Sequence, residues 1–135
     1  MSDSTPVSLA PGLTGEVTLR VSEAHTAAAL GSGNVNAFST PALVALLEGA
    51  AVTALQGRLP DGYTSVGTHL DVRHLAATPV GMTVRATARL IEVDGRRLTF
   101  AVEAYDDVEL IGAGTHERFV VNKARFEARV AAKGG

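Results

Sequence analysis

"FSTPALVALLEGAAVTAL", residues 38 to 55, is the stretch on which the fold turns. It reads as a helix that is apolar on nearly every side, with a single charge, Glu48, in its middle. Ser39 or Thr40 can cap it, and Pro41 suits its first turn because no amide donor is needed there. The segment "GRLPDG" ends it. A helix apolar nearly all round must be covered nearly all round. Burying an unpaired carboxylate is costly, so Glu48 needs either a partner or a purpose. At roughly 100° per residue, Glu48 shares its face with Val44, Ala51, Val52 and Leu55.

What flanks this helix is strand-like. Residues 12 to 22, "GLTGEVTLRVS", alternate as an opening strand, and the aperiodic stretch "EAHTAAALGSGNVNAF" after it has a Gly/Asn-rich middle that reads as a loop. Four runs follow the helix. In residues 63 to 75 the even positions Thr64, Val66, Thr68, Leu70, Val72 and His74 form the more apolar side, which places His74 inward. Residues 82 to 91 separate into Met82, Val84, Ala86, Ala88 and Leu90 against Thr83, Arg85, Thr87 and Arg89. Leu98, Phe100, Val102 and Ala104 form the apolar face of the next strand. Residues 108 to 121 make a long last strand, and "KARFEARVAAK" a short terminal helix. For the middle hairpin, a three-residue loop Val93-Asp94-Gly95 is expected. It would pair Leu90 with Leu98, Ala88 with Phe100 and Arg85 with Glu103, with Gly95 in the left-handed region. These elements predict an α+β domain in which an antiparallel sheet of about five strands curls around one long central helix. One such sheet cannot cover the helix completely, so a partner subunit is expected.

Composition narrows the function classes. At 135 residues and 46% hydrophobic, the chain can bury one core. We assign a flexible arm to residues 1 to 11, a single domain to 12 to 131 and a frayed tail to 132 to 135. The start of the chain lacks the basic and apolar regions of a signal peptide, and Glu48 interrupts the longest apolar run. Zero cysteines exclude disulfides, a thiol nucleophile and zinc–thiolate sites, and fit a cytoplasmic protein. A net charge of −2 gives no electrostatic reason to expect nucleic acid or an anionic membrane as partner.

Pattern alone selects Glu48 and His74. If the sheet packs on the Glu48 face of the helix, the two come together. A carboxylate beside an imidazole is an acid–base arrangement, although a structural Glu–His or Glu–Arg tie between helix and sheet accounts for it equally well. Thr40 reads first as a helix cap. Its hydroxyl would also lie beside free amides at a helix N-terminus, where a polarised carbonyl is welcome. Gly67 interrupts a good strand and marks either a bulge or a close approach of a ligand. His25 and His69 read as surface residues, and His116 with Arg118 as a solvated strand face. No spacing of His, Asp and Glu matches a metal site.

Four segments carry a family resemblance: "FSTPALVALLEGAAV", "SVGTHLDVRHLAATPVGMTV", "EVDGRRLTF" and "IGAGTHERFVV". In order and spacing the chain resembles a hot-dog-fold thioesterase of the fluoroacetyl-CoA thioesterase branch, over roughly residues 35 to 130. The resemblance implies hydrolysis of a small or short-chain acyl-CoA without a cofactor. It implies catalytic roles for Thr40, Glu48 and His74, and substrate binding by Gly67 and Arg118. It also implies a homodimer or dimer of dimers with sites at the subunit interface. One feature departs from it. The fluoroacetyl-specific enzyme has a phenylalanine-rich lid just upstream of its threonine, whereas "GSGNVNAF" here has only Phe38, so fluoroacetyl selectivity is not expected. The rival readings are a non-hydrolytic acyl-CoA-binding module and a hot-dog hydratase or dehydratase.

Overall fold

The structure is a computed structural model and describes residues 8–135. Five strands form one antiparallel sheet: β1 (Thr14–Arg20), β2 (Tyr63–His74), β3 (Thr83–Asp94), β4 (Arg97–Tyr105) and β5 (Leu110–Asn122), in the order β1-β3-β4-β5-β2. Three helices accompany them: the single turn α1 (Ala27–Leu30), the long α2 (Thr40–Leu55) and the terminal α3 (Lys123–Lys133). The predicted sheet around a central helix is the observed architecture. Of the expected N-terminal arm, residues 1–7 lie outside the described residues, while Leu9 already packs against the core.

The sheet curls around α2. Leu43, Leu47, Ala50, Ala51 and Ala54 of the helix are buried with Val84, Ala86, Leu90, Leu98, Phe100 and Val102 of β3 and β4. Small residues set how closely the layers approach. A side chain at Gly15 would overlap the Ala50 carbonyl and the Ala54 amide, so β1 lies directly on the helix backbone. A Cβ at Gly112 would lie 2.9 Å from a Leu43 methyl. The opposite side of α2 remains open, with Val52 49% exposed, as expected of a helix too apolar for one sheet to cover.

Two expectations need correction, and one needs extension. The stretch before α2 is the expected loop in its Gly/Asn-rich middle but is structured ahead of it. It holds a 3-10 turn (Glu23–His25) and α1, whose N-cap Thr26 accepts from the Ala29 amide and whose end is the left-handed Gly31. Bridges Thr26–Phe38 and Ala37–Pro79 tie that stretch down, and such long-range contacts leave no local periodicity.

The middle hairpin turns through two residues, Gly95 and Arg96, rather than three. Asp94 pairs with Arg97, Leu90 with Phe100 and Ala88 with Val102. Gly95 does have positive φ, 61°, but as the first central residue of the turn, the place a type II′ turn reserves for glycine. The bulge falls earlier, between Leu90 and Glu92, and restores apolar residues to the core face. Arg85 is therefore opposite Tyr105, not Glu103. It stacks on the Tyr105 ring at 5.0 Å and approaches Glu16 of β1 at 3.8 Å.

The second correction concerns β2. Its register shifts between Gly67 and His69, which makes Thr68 an inserted residue. Before the bulge Ser65 and Gly67 lie across from Val120 and Arg118, and after it Leu70, Val72 and His74 lie across from His116, Gly114 and Gly112. The odd positions thus face the helix first and the even ones later. One uniform alternation over residues 63 to 75 was the wrong period for half of the strand.

Candidate active site

Ser39, not Thr40, caps α2, its hydroxyl accepting from the Ala42 amide at 3.1 Å. Pro41 has no amide to offer, and the Leu43 amide donates to the Ser39 carbonyl. Of the amides expected to be free at this helix start, those of Ala42 and Leu43 are therefore engaged. The division of labour frees the Thr40 hydroxyl, whose Oγ1 lies 2.8 Å from Nδ1 of His74, the last residue of β2. Phe38 stands edge-on to the imidazole, ring centroids 6.4 Å apart. The pair opens on a cavity of about 420 Å³ lined by Val35, Phe38, Thr40, His74 and Leu75 among others. Burial lowers the His74 pKa below its ordinary 6.5, so the ring is neutral at pH 7 and can take a proton.

Glu48 lies elsewhere. Its carboxylate Oε2 is 3.4 Å from Arg118 Nη1 and 3.9 Å from His116 Nε2. The expected meeting of Glu48 with His74 does not occur within one chain. Thr40 and Glu48 are separated by about 12 Å of helix, and the bulge at Thr68 gives the sheet beneath Glu48 to Gly67 and Arg118 instead. The structure thus makes two clusters, Thr40–His74 and Glu48–Arg118–His116.

His116 and Arg118 are not a solvated face. They are 0% and 6% exposed, directed toward α2 from the middle of the sheet. In "GTHERF" both faces read as polar, and the one large apolar residue, Phe119, points outward at 41% exposure. No alternation in that segment identifies its inner side. Arg118 is held by Ser65: Nε donates to its hydroxyl at 2.8 Å and Nη2 to its carbonyl at 3.1 Å. Burial presses the Arg118 pKa down and Glu48 opposes that, leaving a guanidinium that stays charged.

The His116 tautomer follows from its neighbours. Nδ1 is 2.9 Å from the His69 carbonyl, which can only accept, and Nε2 is 3.1 Å from Arg118 Nη1, which can only donate. The ring must therefore be neutral with its proton on Nδ1. Burial, with Arg118 adding to it, lowers the His116 pKa in agreement. The approach of His116 to Glu48 is thus no ion pair.

The bulge that the sequence suggested at Gly67 begins immediately after it, at Thr68, and the missing side chain of Gly67 has a use: a Cβ there would lie 2.6 Å from Glu48 Oε2. Ser65 escaped the sequence reading, because an isolated serine in a strand gives no signal until its cross-strand arginine is known. His69 is exposed as expected, although its carbonyl is engaged, and His25 Nδ1 accepts the Ser22 amide at 2.9 Å. Among the described residues no three His, Asp or Glu side chains cluster as metal ligands.

Comparison with known proteins bears on this arrangement. Residues 21–124 match the family model of fluoroacetyl-CoA-specific thioesterases. The fluoroacetyl-CoA thioesterase of Streptantibioticus cattleyicolor is 48% identical over 96 residues, which are 71% of this chain and 69% of that protein. A solved structure of a fluoroacetyl-CoA thioesterase superposes with a TM-score of 0.86 at 38% identity, covering 93% of this chain and 97% of that one. A threonine-to-serine variant in complex with acetyl-CoA gives 0.89 at 37% identity, covering 94% and 100%. A hot-dog-like protein from Thermanaerovibrio acidaminovorans gives 0.84 at 29% identity, covering 93% of each chain. The chain belongs to the fluoroacetyl-CoA-specific thioesterase family and is a hot-dog-fold acyl-CoA thioesterase.

Proposed function

We propose that this protein hydrolyses short-chain acyl-CoA thioesters to the free acid and CoA, with Thr40, His74 and Glu48 as its catalytic residues. The observation that carries this reading is the 2.8 Å contact between the Thr40 hydroxyl and a neutral imidazole at the mouth of a cavity. A thioester needs a nucleophile at its carbonyl carbon, a site for the oxyanion and a proton for the leaving sulfur. His74 Nδ1 takes the Thr40 proton as the hydroxyl oxygen attacks. Collapse of the tetrahedral intermediate breaks the carbon–sulfur bond, and the imidazolium returns that proton to the sulfur. Water then attacks the Thr40 ester and loses a proton to the Glu48 carboxylate. Breakdown releases the acid, and the proton goes back to the Thr40 oxygen. Gly67 and Arg118 border the acyl end of this site, Gly67 through its backbone and Arg118 through its charge.

The separation of Glu48 from Thr40 and His74 supports a homodimer in which one substrate meets residues of both copies. β2 is an edge strand, and around it Leu70, Leu75, Val35 and Val52 are exposed apolar residues. A second copy laid along this edge covers them together with the open side of α2. Among the described residues no helix is long and apolar enough to cross a membrane, and the lack of cysteine fits a cytoplasmic setting.

The test is free-thiol release from a panel of acyl-CoAs, with product mass and sedimentation measured on one preparation. Turnover of acetyl-CoA or propionyl-CoA by a dimer is expected. Tight binding without thiol release would instead make the protein an acyl-CoA-binding module. Rapid quench followed by peptide mass should place the acyl group on the Thr40 peptide. An acyl group on the Glu48 carboxylate would mean a mixed-anhydride route.

A further inference from the structure

Arg118 is buried, and four of its five N–H groups are already engaged inside the chain. Nε and Nη2 go to the hydroxyl and the carbonyl of Ser65, and Nη1 is shared between His116 Nε2 at 3.1 Å and Glu48 Oε2 at 3.4 Å. A planar guanidinium bonded along one edge by a single residue and at another corner by a fixed ring cannot rotate. His116 is fixed in turn by the His69 carbonyl at 2.9 Å. The residues Ser65, Arg118, His116 and the His69 carbonyl form one polar chain whose outer end is Glu48.

We propose that Ser65 and His116 are positioning residues of the thioesterase, locking the Arg118 guanidinium so that Nη1 holds the Glu48 carboxylate in its reacting orientation. The inference rests on the reading of Glu48 as a carboxylate that acts on the substrate. Ser65 is suited to the task because its hydroxyl and carbonyl form a two-point fork for Nε and Nη2. His116 is suited because a neutral ring with a bare Nε2 accepts from Arg118, whereas a lysine or arginine there would repel it. The charged groups facing His116 are Arg118 on its own strand and Glu48 on α2. Phe100 of β4 covers it with an uncharged ring at 6.5 Å. Glu117 and the His69 side chain belong to the opposite face of the sheet. A proton added to Nε2 would replace an acceptor with a donor opposite Arg118 and undo the lock.

The experiment compares wild type, Glu48→Gln, Ser65→Ala, His116→Ala and His116→Gln as full-length proteins, each with its melting curve and with kcat and KM for acetyl-CoA. Ser65→Ala and His116→Ala should lose about 10-fold or more in kcat with KM changed less than about 2-fold, since orientation of a reacting group is lost rather than binding. His116→Gln should recover most of the kcat, because its amide can donate to the His69 carbonyl and its oxygen accept from Arg118. A folded Ser65→Ala variant with wild-type kcat overturns the proposal, as does a His116→Gln variant no better than a folded His116→Ala. Should His116→Ala fail to fold, Ser65→Ala and His116→Gln decide alone. An inactive wild type, or a fully active Glu48→Gln, would refute the thioesterase role of Glu48 itself. Active wild type and dead Glu48→Gln with unaffected Ser65→Ala would refute the positioning role only.

Discussion

Gly67 lies so close to Glu48 that a methyl group on its Cα would stand 2.6 Å from the carboxylate oxygen Oε2, with His116 Cε1 at 3.2 Å and Arg118 Nη1 at 3.3 Å. The glycine leaves the volume that the carboxylate occupies. Gly67 is exposed and not at positive φ, so the backbone itself tolerates a side chain there. Gly67→Ala should therefore still fold, the end of Glu48 swinging aside to make room, with a stability loss of about 1–3 kcal/mol from the weakened pairing with Arg118. Its kcat should fall about 10-fold or more, because Glu48 can no longer rest against Arg118. Melting temperature and steady-state kinetics on the same sample check both halves, and unchanged kcat would show that the position of Glu48 is unimportant.

Glu48→Gln separates chemistry from architecture. The amide matches the carboxylate in size and can still accept from Arg118, so the fold should survive. The loss of a base should cost about 100-fold or more in kcat. If Glu48 serves only to neutralise Arg118, the order reverses: melting temperature falls, since leaving a buried charge unpaired costs about 3–5 kcal/mol, and the folded fraction stays active.

The pH dependence follows from two histidines whose pKa values burial lowers below the ordinary 6.5. His74 must be neutral to take a proton, so the acid limb of kcat/KM should have its midpoint below pH 6.5. A midpoint at or above pH 7 would contradict this role. For stability the sign is the same. The unfolded chain binds more protons than the folded one below 6.5, so stability is fully present above that pH and is lost as pH falls through the folded-state values. Melting temperature should fall on acidification from pH 6.5, and less steeply in His116→Gln, which has lost one of the two titrating rings.

Gly15→Ala tests the packing of helix on sheet. The added methyl would overlap backbone atoms of Ala50 and Ala54, which cannot rotate away as a side chain can. A loss of about 3 kcal/mol or more is expected, with α2 displaced from β1. Chemical denaturation measures it, and a change under about 1 kcal/mol would show that the layers are looser than the structure has them.

Selectivity should be poor. Phe38 stands against His74, and the rest of the approach to Thr40 is formed by small residues with Val35 and Leu75. No aromatic cover distinguishes fluorine from hydrogen there. The ratio of kcat/KM for fluoroacetyl-CoA over acetyl-CoA should remain below about 100, or about 2.7 kcal/mol of differential transition-state binding. A larger ratio would place the discrimination in the polar cluster around Glu48 instead.

By itself the sequence determined the elements, because hydrophobic periodicity is a local property. The apolar helix around Glu48, the five strands and the terminal helix are legible in residues a few positions apart, and so is the need to cover a helix apolar on all sides. Candidate residues were legible as exceptions to that pattern: a charge in a core helix, a histidine on an apolar face, a glycine in a strand. What those residues touch was decided only by the tertiary structure. Which serine or threonine caps α2 depended on whether His74 arrives to claim the other hydroxyl. The face of β2 that meets the helix depended on one inserted residue, Thr68, whose bulge exists only because β5 pairs on both sides of it. The hairpin register was likewise set by a bulge near Ile91 rather than at the turn. His116 and Arg118 became a buried network because a strand polar on both faces takes its inside from its neighbours: Ser65 across the sheet, Phe100 beside it and Glu48 above. Side-chain alternation has a period of two and carries no record of an inserted residue, so the partners of a strand come from the fold that closes around it.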